Sequence, residues 1–273
     1  YMAQQILKEQ HIKIPFITTL HGTDITLVGK DPSFEPVITF SINNSNMVTA
    51  VSESLKKETL ELFNINKEIH VIPNFISIDE YQMSKNQYYK KRYAPNDEKI
   101  LCHVSNFRKV KRIEDVIKTY NKVAKKMAVK LLLVGDGPER NHLERKARQS
   151  EFKDHIHFLG NLKSTKEVLN IADIFLLPSS KESFGLAALE AMACRVPVIS
   201  TTSGGVPEVV KHGFSGFLSE VGDVKEMANN TLKIISNDKE LEKFKSNALL
   251  TAKSYDLSQI LPKYEAVYDY LIN

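Results

Sequence analysis

Short apolar, β-rich runs alternate with longer amphipathic segments through most of this chain, and that alternation limits the fold more than any other feature. Strand-like runs fall at 15–20, 47–51, 69–72, 100–104, 129–134, 155–159, 174–177 and 198–201. Segments with helical spacing lie between them, including 54–63, 112–125, 138–149, 165–171 and 186–194. A strand that is apolar on both faces must be covered on both faces, and an intervening helix supplies the cover. The pattern predicts the α/β class, with doubly wound parallel sheets.

The rhythm breaks at 82–98, where most residues are polar or charged and Pro95 interrupts the run. This stretch reads as an interdomain connection. It separates an N-terminal domain at 1–81 from a C-terminal domain at 99–254, which is long enough for a complete α/β unit. The tail, 255–273, carries apolar residues at helical spacing (Ile260, Leu261, Tyr264, Val267, Tyr268, Leu271) and is expected to be a helix that packs back toward the N-terminal domain. Only about three strands precede the connection, too few for a doubly wound domain. The chain also opens on Tyr1, inside a helical pattern. Both features lead to the expectation of a fragment with an incomplete N-terminal domain, inactive by itself.

The net charge of +4 from 37 basic and 33 acidic residues is modest, and no basic block is interleaved with aromatics, so nucleic acid is not an expected partner. No apolar stretch approaches the roughly 18 residues of a membrane span, so no stable membrane insertion is expected. Cys102 and Cys194 have neither redox nor metal-binding spacing and read as reduced core thiols, in keeping with a cytoplasmic protein. Self-association into a homo-oligomer stays open.

Several motifs sit at expected strand ends. The run from Lys181 to Met192 places Glu182 and Glu190 eight positions apart, with Phe184-Gly185 between them. Glycine is poor inside a helix, so the helix is expected to begin near Leu186, with Glu182 in the loop before it. Backbone amides at that helix start suit a phosphate, and carboxylates on either side can accept from sugar hydroxyls. An ordinary amphipathic helix with two acidic residues explains the spacing as well.

Val134-Gly135-Asp136-Gly137-Pro138 follows an apolar strand and is either a tight turn or a ligand contact, with Pro138 expected in the first helical turn. Ser105-Asn106-Phe107-Arg108-Lys109-Val110-Lys111-Arg112 puts four cations in five positions, either a diphosphate clamp or a solvated turn. His21 and Asp24 in Leu20-His21-Gly22-Thr23-Asp24 either contact a substrate hydroxyl or serve as loop and cap residues. Gly204-Gly205 forms a second glycine-rich loop, and Asn74 marks another strand end. No DxD, Walker loop or nucleophile elbow is present, which argues against a metal-bridged diphosphate.

In order and spacing, the Glu182/Glu190 element, the Gly135-Asp136-Gly137-Pro138 turn and the Gly204-Gly205-Val206-Pro207-Glu208 loop resemble the retaining nucleotide-sugar glycosyltransferases of the GT-B fold. That resemblance implies two Rossmann-like domains facing a cleft. A narrower set, His21-Gly22-Thr23-Asp24, Val48-Thr49-Ala50-Val51-Ser52, Pro73-Asn74-Phe75-Ile76 and Val104-Ser105-Asn106-Phe107-Arg108, is similar to members that move N-acetylglucosamine from UDP-N-acetylglucosamine to the hydroxyl of L-malate, in bacillithiol biosynthesis. The implied partners are a UDP-sugar donor and a small hydroxy-acid acceptor, with no cofactor and no metal.

The resemblance implies catalytic roles for His21, Lys111, Arg108 and Glu182, with His21 beside the donor sugar. It implies donor binding by Ser105, Asn106, Gly135, Gly160, Ser183, Phe184, Gly185, Leu186 and Glu190, with Glu190 on the ribose and Glu182 on the sugar. Thr23, Asp24, Ser52 and Asn74 are implied on the acceptor side. The group's usual arginine after the strand is replaced by Asn106, and Arg108 is expected to supply the missing charge. A lipid or glycan acceptor, or an inactive nucleotide-sugar-binding fragment, are the alternative readings.

Overall fold

The computed structural model describes residues 2–22, 25, 31–81 and 87–272. The chain divides into two compact units, Tyr1–Phe75 with Tyr255–Asn273, and Ile76–Ser254. The first begins with α1 (Met2–Glu9) and continues β1 (Ile17–Leu20), α2 (Glu35–Asn43), β2 (Met47–Ala50), α3 (Glu53–Leu62) and β3 (Ile69–Val71). Its sheet is parallel, in the order β1-β2-β3, with Leu20 opposite Ala50. Ser52 starts α3 by accepting from the Leu55 amide at 3.0 Å, a cap that meets one of the helix's orphan donors.

The second unit runs α4 (Gln87–Tyr93), β4 (Lys99–Val104), α5 (Ile113–Ala124), β5 (Val129–Val134), α6 (Arg140–Arg148), β6 (Ile156–Gly160), α7 (Lys166–Leu169) and β7 (Ile174–Leu177). It continues with α8 (Leu186–Ala193), β8 (Val198–Thr201), α9 (Val206–Val209), β9 (Gly216–Ser219), α10 (Val224–Ile235) and α11 (Asp238–Lys253). The last helix, α12 (Leu257–Ile272), belongs to the first unit, where Tyr264 meets Phe75 edge-on at 6.2 Å between ring centroids.

All six strands of the larger sheet are parallel, in the order β6-β5-β4-β7-β8-β9. Every residue of β7 and β8 is buried, as strands covered on both faces require. Leu101, Leu131, Leu133, Leu176 and Ile199 from the sheet pack with Ile113, Val116, Ile117 and Tyr120 of α5 in one core. Asp223 and Asn237 cap α10 and α11, and the Asp223–Glu226 spacing is that of a capping box.

Three sequence expectations need correction. Gln87–Tyr93 is helical inside the stretch read as a connection. Pro138 lies in the turn before α6, whose N-cap is Glu139. β9 was not anticipated, because Gly216-Phe217-Leu218-Ser219 is short and carries a glycine that β-propensity disfavours. That glycine is required by close packing: a Cβ on Gly216 would lie 1.9 Å from the Val198 carbonyl oxygen.

The chain order reverses direction between β4 and β7, and this seam is the switch point where open α/β sheets bind ligands at their carboxyl edge. Asp173 sets the seam. Its amide donates to Ile100 O at 2.8 Å, its carboxylate accepts from Ile100 N at 3.0 Å, and Lys245 Nζ reaches the other oxygen at 2.8 Å. Removing the carboxylate strands a buried amide and unpairs the lysine. Asp173→Ala should therefore lower unfolding stability by about 2–3 kcal/mol. Urea unfolding checks this; a loss below about 0.5 kcal/mol, the usual range of neutral surface changes, would show that the strands hold the seam alone.

Candidate active site

Two loops flank the seam at its carboxyl end: the one after β4, carrying Ser105 to Arg112, and the one after β7, carrying Ser179 to Gly185. Ser180 N donates to Val110 O at 2.9 Å and joins them. Lys111 then crosses the gap, its Nζ 2.7 Å from Glu182 Oε1. Both side chains are largely withdrawn from solvent, at 21% and 12% exposure, so this pair is screened far less than a surface ion pair.

Neighbouring residues diverge. Arg112 adopts a left-handed conformation at the start of α5, and its Nε donates to Asp115 at 2.7 Å. Asn106 and Arg108 are exposed in the loop after β4.

Glycines fit the surrounding loops together. Gly135, with φ of 126°, packs against the chain so closely that a Cβ would lie 1.8 Å from Ser105 O. Its amide donates to Gly160 O at 2.8 Å, which joins the ends of β5 and β6. Gly204 sits against Glu182 in the same manner, a Cβ falling 1.9 Å from Glu182 O, while Gly205 N donates to that oxygen at 2.9 Å. The β8 loop thus holds the backbone from which Glu182 projects. Gly185 takes φ of 97° as the N-cap of α8, with Phe184 buried before it and Leu186 exposed after it. Ser183 is partly buried in the same loop.

Glu190 lies on α8, half-buried. Burial raises its carboxyl above the ordinary value, although a hydrogen bond from the Tyr81 hydroxyl and the charge of Lys166 pull the other way. Tyr81 belongs to a short 3-10 turn, Ile78–Tyr81, with Lys166 Nζ 4.9 Å from its ring centre. Burial and the adjacent carboxylate together push the Tyr81 phenol well above its usual range. Sequence reasoning missed Tyr81, whose partner lies more than a hundred residues away.

In the smaller unit, His21 follows β1 and is exposed, Ser52 follows β2 and is buried in its capping role, and Asn74 lies beyond β3, partly buried. These three occupy the carboxyl edge of one parallel sheet. Thr23 and Asp24 lie outside the described residues. Among the described residues, no cluster of three or more His, Cys, Asp or Glu side chains is placed to hold a metal ion. Nor is any helix among them long and apolar enough to cross a membrane.

Two Rossmann-like α/β units, one with a paired lysine and glutamate at its switch point, are the architecture of the GT-B glycosyltransferases. The family model described as Glycosyl transferases group 1 matches residues 84–250, and Glycosyltransferase Family 4 matches 2–80. The chain belongs to the group 1 glycosyltransferases. It is 43% identical to the N-acetyl-alpha-D-glucosaminyl L-malate synthase of Bacillus anthracis over 271 residues, which is 98% of this chain and 70% of that protein. Among solved structures, Anabaena HepE in complex with UDP superposes with a TM-score of 0.85 at 22% identity, covering 99% of this chain and 75% of its own. Sucrose-phosphate synthase from Thermosynechococcus elongatus gives 0.84 at 21% identity, over 98% of this chain and 70% of its own. At such identities these two likenesses bear on the fold.

Two outcomes follow from the geometry. Gly204→Ala forces a side chain into the Glu182 backbone and a left-handed φ of 65°, so it should destabilise the protein by about 2 kcal/mol or more. Urea unfolding of the variant checks this, and near-native stability would mean the loop yields.

The second concerns pH. A carboxyl raised in the native state favours the fold while protonated, and that contribution is lost as pH rises through the native value. Glu190→Gln should accordingly gain stability over the parent at neutral pH. The gain should vanish as pH falls to the ordinary Glu range, about 4.3. Paired urea titrations across that range test it; a pH-independent difference would contradict it.

Proposed function

We propose that this glycosyltransferase moves N-acetylglucosamine from UDP-N-acetylglucosamine to the hydroxyl of L-malate, with retention at the anomeric carbon, as the first step of bacillithiol biosynthesis. The 43% identity to the Bacillus anthracis synthase, continuous through both units, carries this reading. The crevice chemistry supports it. A UDP-sugar presents a dianionic diphosphate and a hydroxylated ring, and the crevice offers a cation and a carboxylate 2.7 Å apart.

In this reading Lys111 is held by Glu182 until the donor arrives, and its ammonium then turns to the diphosphate. Lys111 and Arg108 stabilise the charge that grows on the leaving phosphate as the glycosidic bond breaks. That phosphate takes the proton of the attacking hydroxyl on the same face of the sugar. Glu182 accepts from the sugar hydroxyls, Glu190 from the ribose, and the Phe184 and Gly185 amides face the diphosphate. His21 supports the donor sugar, Thr23, Asp24 and Asn74 serve the acceptor side, and Ser52 contributes there through its cap on α3. No step requires a metal in this scheme.

Lys111→Ala should lower kcat/KM by about 10²–10³, the usual effect of removing one donor to a developing anion. UDP release with UDP-N-acetylglucosamine and L-malate measures this, and a loss under about threefold would sink the role. Faster release with glycerol-type or glycan acceptors would transfer the reading to those acceptors. Tight UDP binding with no turnover would leave a binding unit.

A further inference from the structure

His103 is a polar residue in the middle of an apolar strand, and none of the roles above uses it. It is fully buried in β4, its ring stacked on Phe175 with centroids 6.3 Å apart and planes 13° from parallel. Nδ1 lies 2.7 Å from Leu176 O, and Nε2 lies 2.7 Å from Ser105 Oγ. A carbonyl oxygen only accepts, so Nδ1 carries the ring proton and donates it. Burial, with Lys111 adding to it, pushes the imidazole down to about 4, so the ring is neutral at physiological pH. Nε2 therefore presents a lone pair, and Ser105 must donate its single hydroxyl proton to it.

This arrangement fixes the chemistry of Ser105 toward any ligand. Its proton is committed inward, leaving only lone pairs for whatever enters the crevice. A phosphate oxygen at this position would meet an acceptor, so the diphosphate belongs to the cations further along the loop. The Ser105 backbone is fixed, its amide donating to Val134 O at 3.1 Å and its carbonyl lying against Gly135, and its hydroxyl is held by the 2.7 Å bond to His103. A hydroxyl or an amide N–H satisfies it, and a nucleotide-linked N-acetylhexosamine carries both on the transferred ring.

We propose that Ser105 is a specificity-determining residue that accepts a hydrogen bond from a hydroxyl or amide hydrogen of the donor sugar, and that His103 is the positioning residue that forces it into the acceptor role. The proposal rests on the reading of the crevice as a UDP-sugar site and assigns one of its contacts.

Calorimetric titration with UDP, UDP-N-acetylglucosamine, and analogues in which each sugar hydroxyl in turn is replaced by fluorine, or the amide by an ester, tests it. Ser105→Ala should keep UDP affinity within about twofold and weaken UDP-N-acetylglucosamine by about five- to tenfold, the value of one hydrogen bond. In the parent, one analogue should lose a similar factor, and in Ser105→Ala that analogue should lose nothing further. His103→Phe, which frees the serine proton, should shrink the same analogue's penalty while sparing UDP. A purely structural role for His103 would weaken all ligands together.

Equal weakening of UDP and UDP-N-acetylglucosamine by Ser105→Ala would overturn the proposal, as would analogue penalties that persist in that variant. If the parent chain binds neither UDP nor UDP-N-acetylglucosamine, the reading of the crevice itself falls.

Discussion

Everything at the candidate site depends on where β4 and β7 part. Two parallel strands that are neighbours in space but far apart in sequence send their exit loops to opposite sides, so a crevice opens without any residue having to carve it. Asp173 fixes that point by exchanging backbone and side-chain bonds with Ile100 at the strands' amino ends. From there the register runs Leu101 to Ile174 and Cys102 to Phe175, and the chains separate. His103 spans the last step of the seam, tying β4 to Leu176 O just below the ligand-facing end. A carboxylate at the start and an imidazole at the finish thus determine the position of both loops.

The loops meet in a contact that is electrostatic on the ligand side and steric behind it. The Lys111–Glu182 pair keeps two mostly buried charges compensated. Gly204 and Gly135 allow the backbones carrying Glu182 and Ser105 to approach closer than any side chain would permit. The glycine-rich character of these loops is thus a packing requirement first, and a widened crevice would be the first consequence of filling it.

The α/β class, and nearly every strand of the larger sheet, were legible because a parallel strand must be apolar on both faces. Val129–Val134, Ile174–Leu177 and Val198–Thr201 coincide with the runs read from sequence. β9 escaped because its glycine, needed against Val198, reads as a breaker. The candidate site was legible only as separate strand-end motifs. Lys111 and Glu182 lie 71 positions apart, and no local pattern states that they touch. Tyr81 and His103 were missed for related reasons: one partners a residue beyond sequence reach, and the other looks like an interruption in a strand. A polar side chain inside an otherwise apolar strand was the available signal for His103, since burying one without partners is costly.

The two glutamates of the run from Lys181 to Met192 end in different surroundings, and the difference follows from what faces each. Glu182 projects from a loop onto the Lys111 ammonium, 2.7 Å away. Glu190 sits on a packed helix and receives a neutral phenol proton while burial works against its charge. A hydroxylated ring without net charge can replace or join a phenol at little electrostatic cost, whereas a diphosphate cannot approach a carboxylate that lacks a cation. The same side chain, eight residues apart, is therefore paired with a cation at one position and with a neutral phenol at the other. The spacing expresses that division because a loop precedes the glycine and a helix follows it.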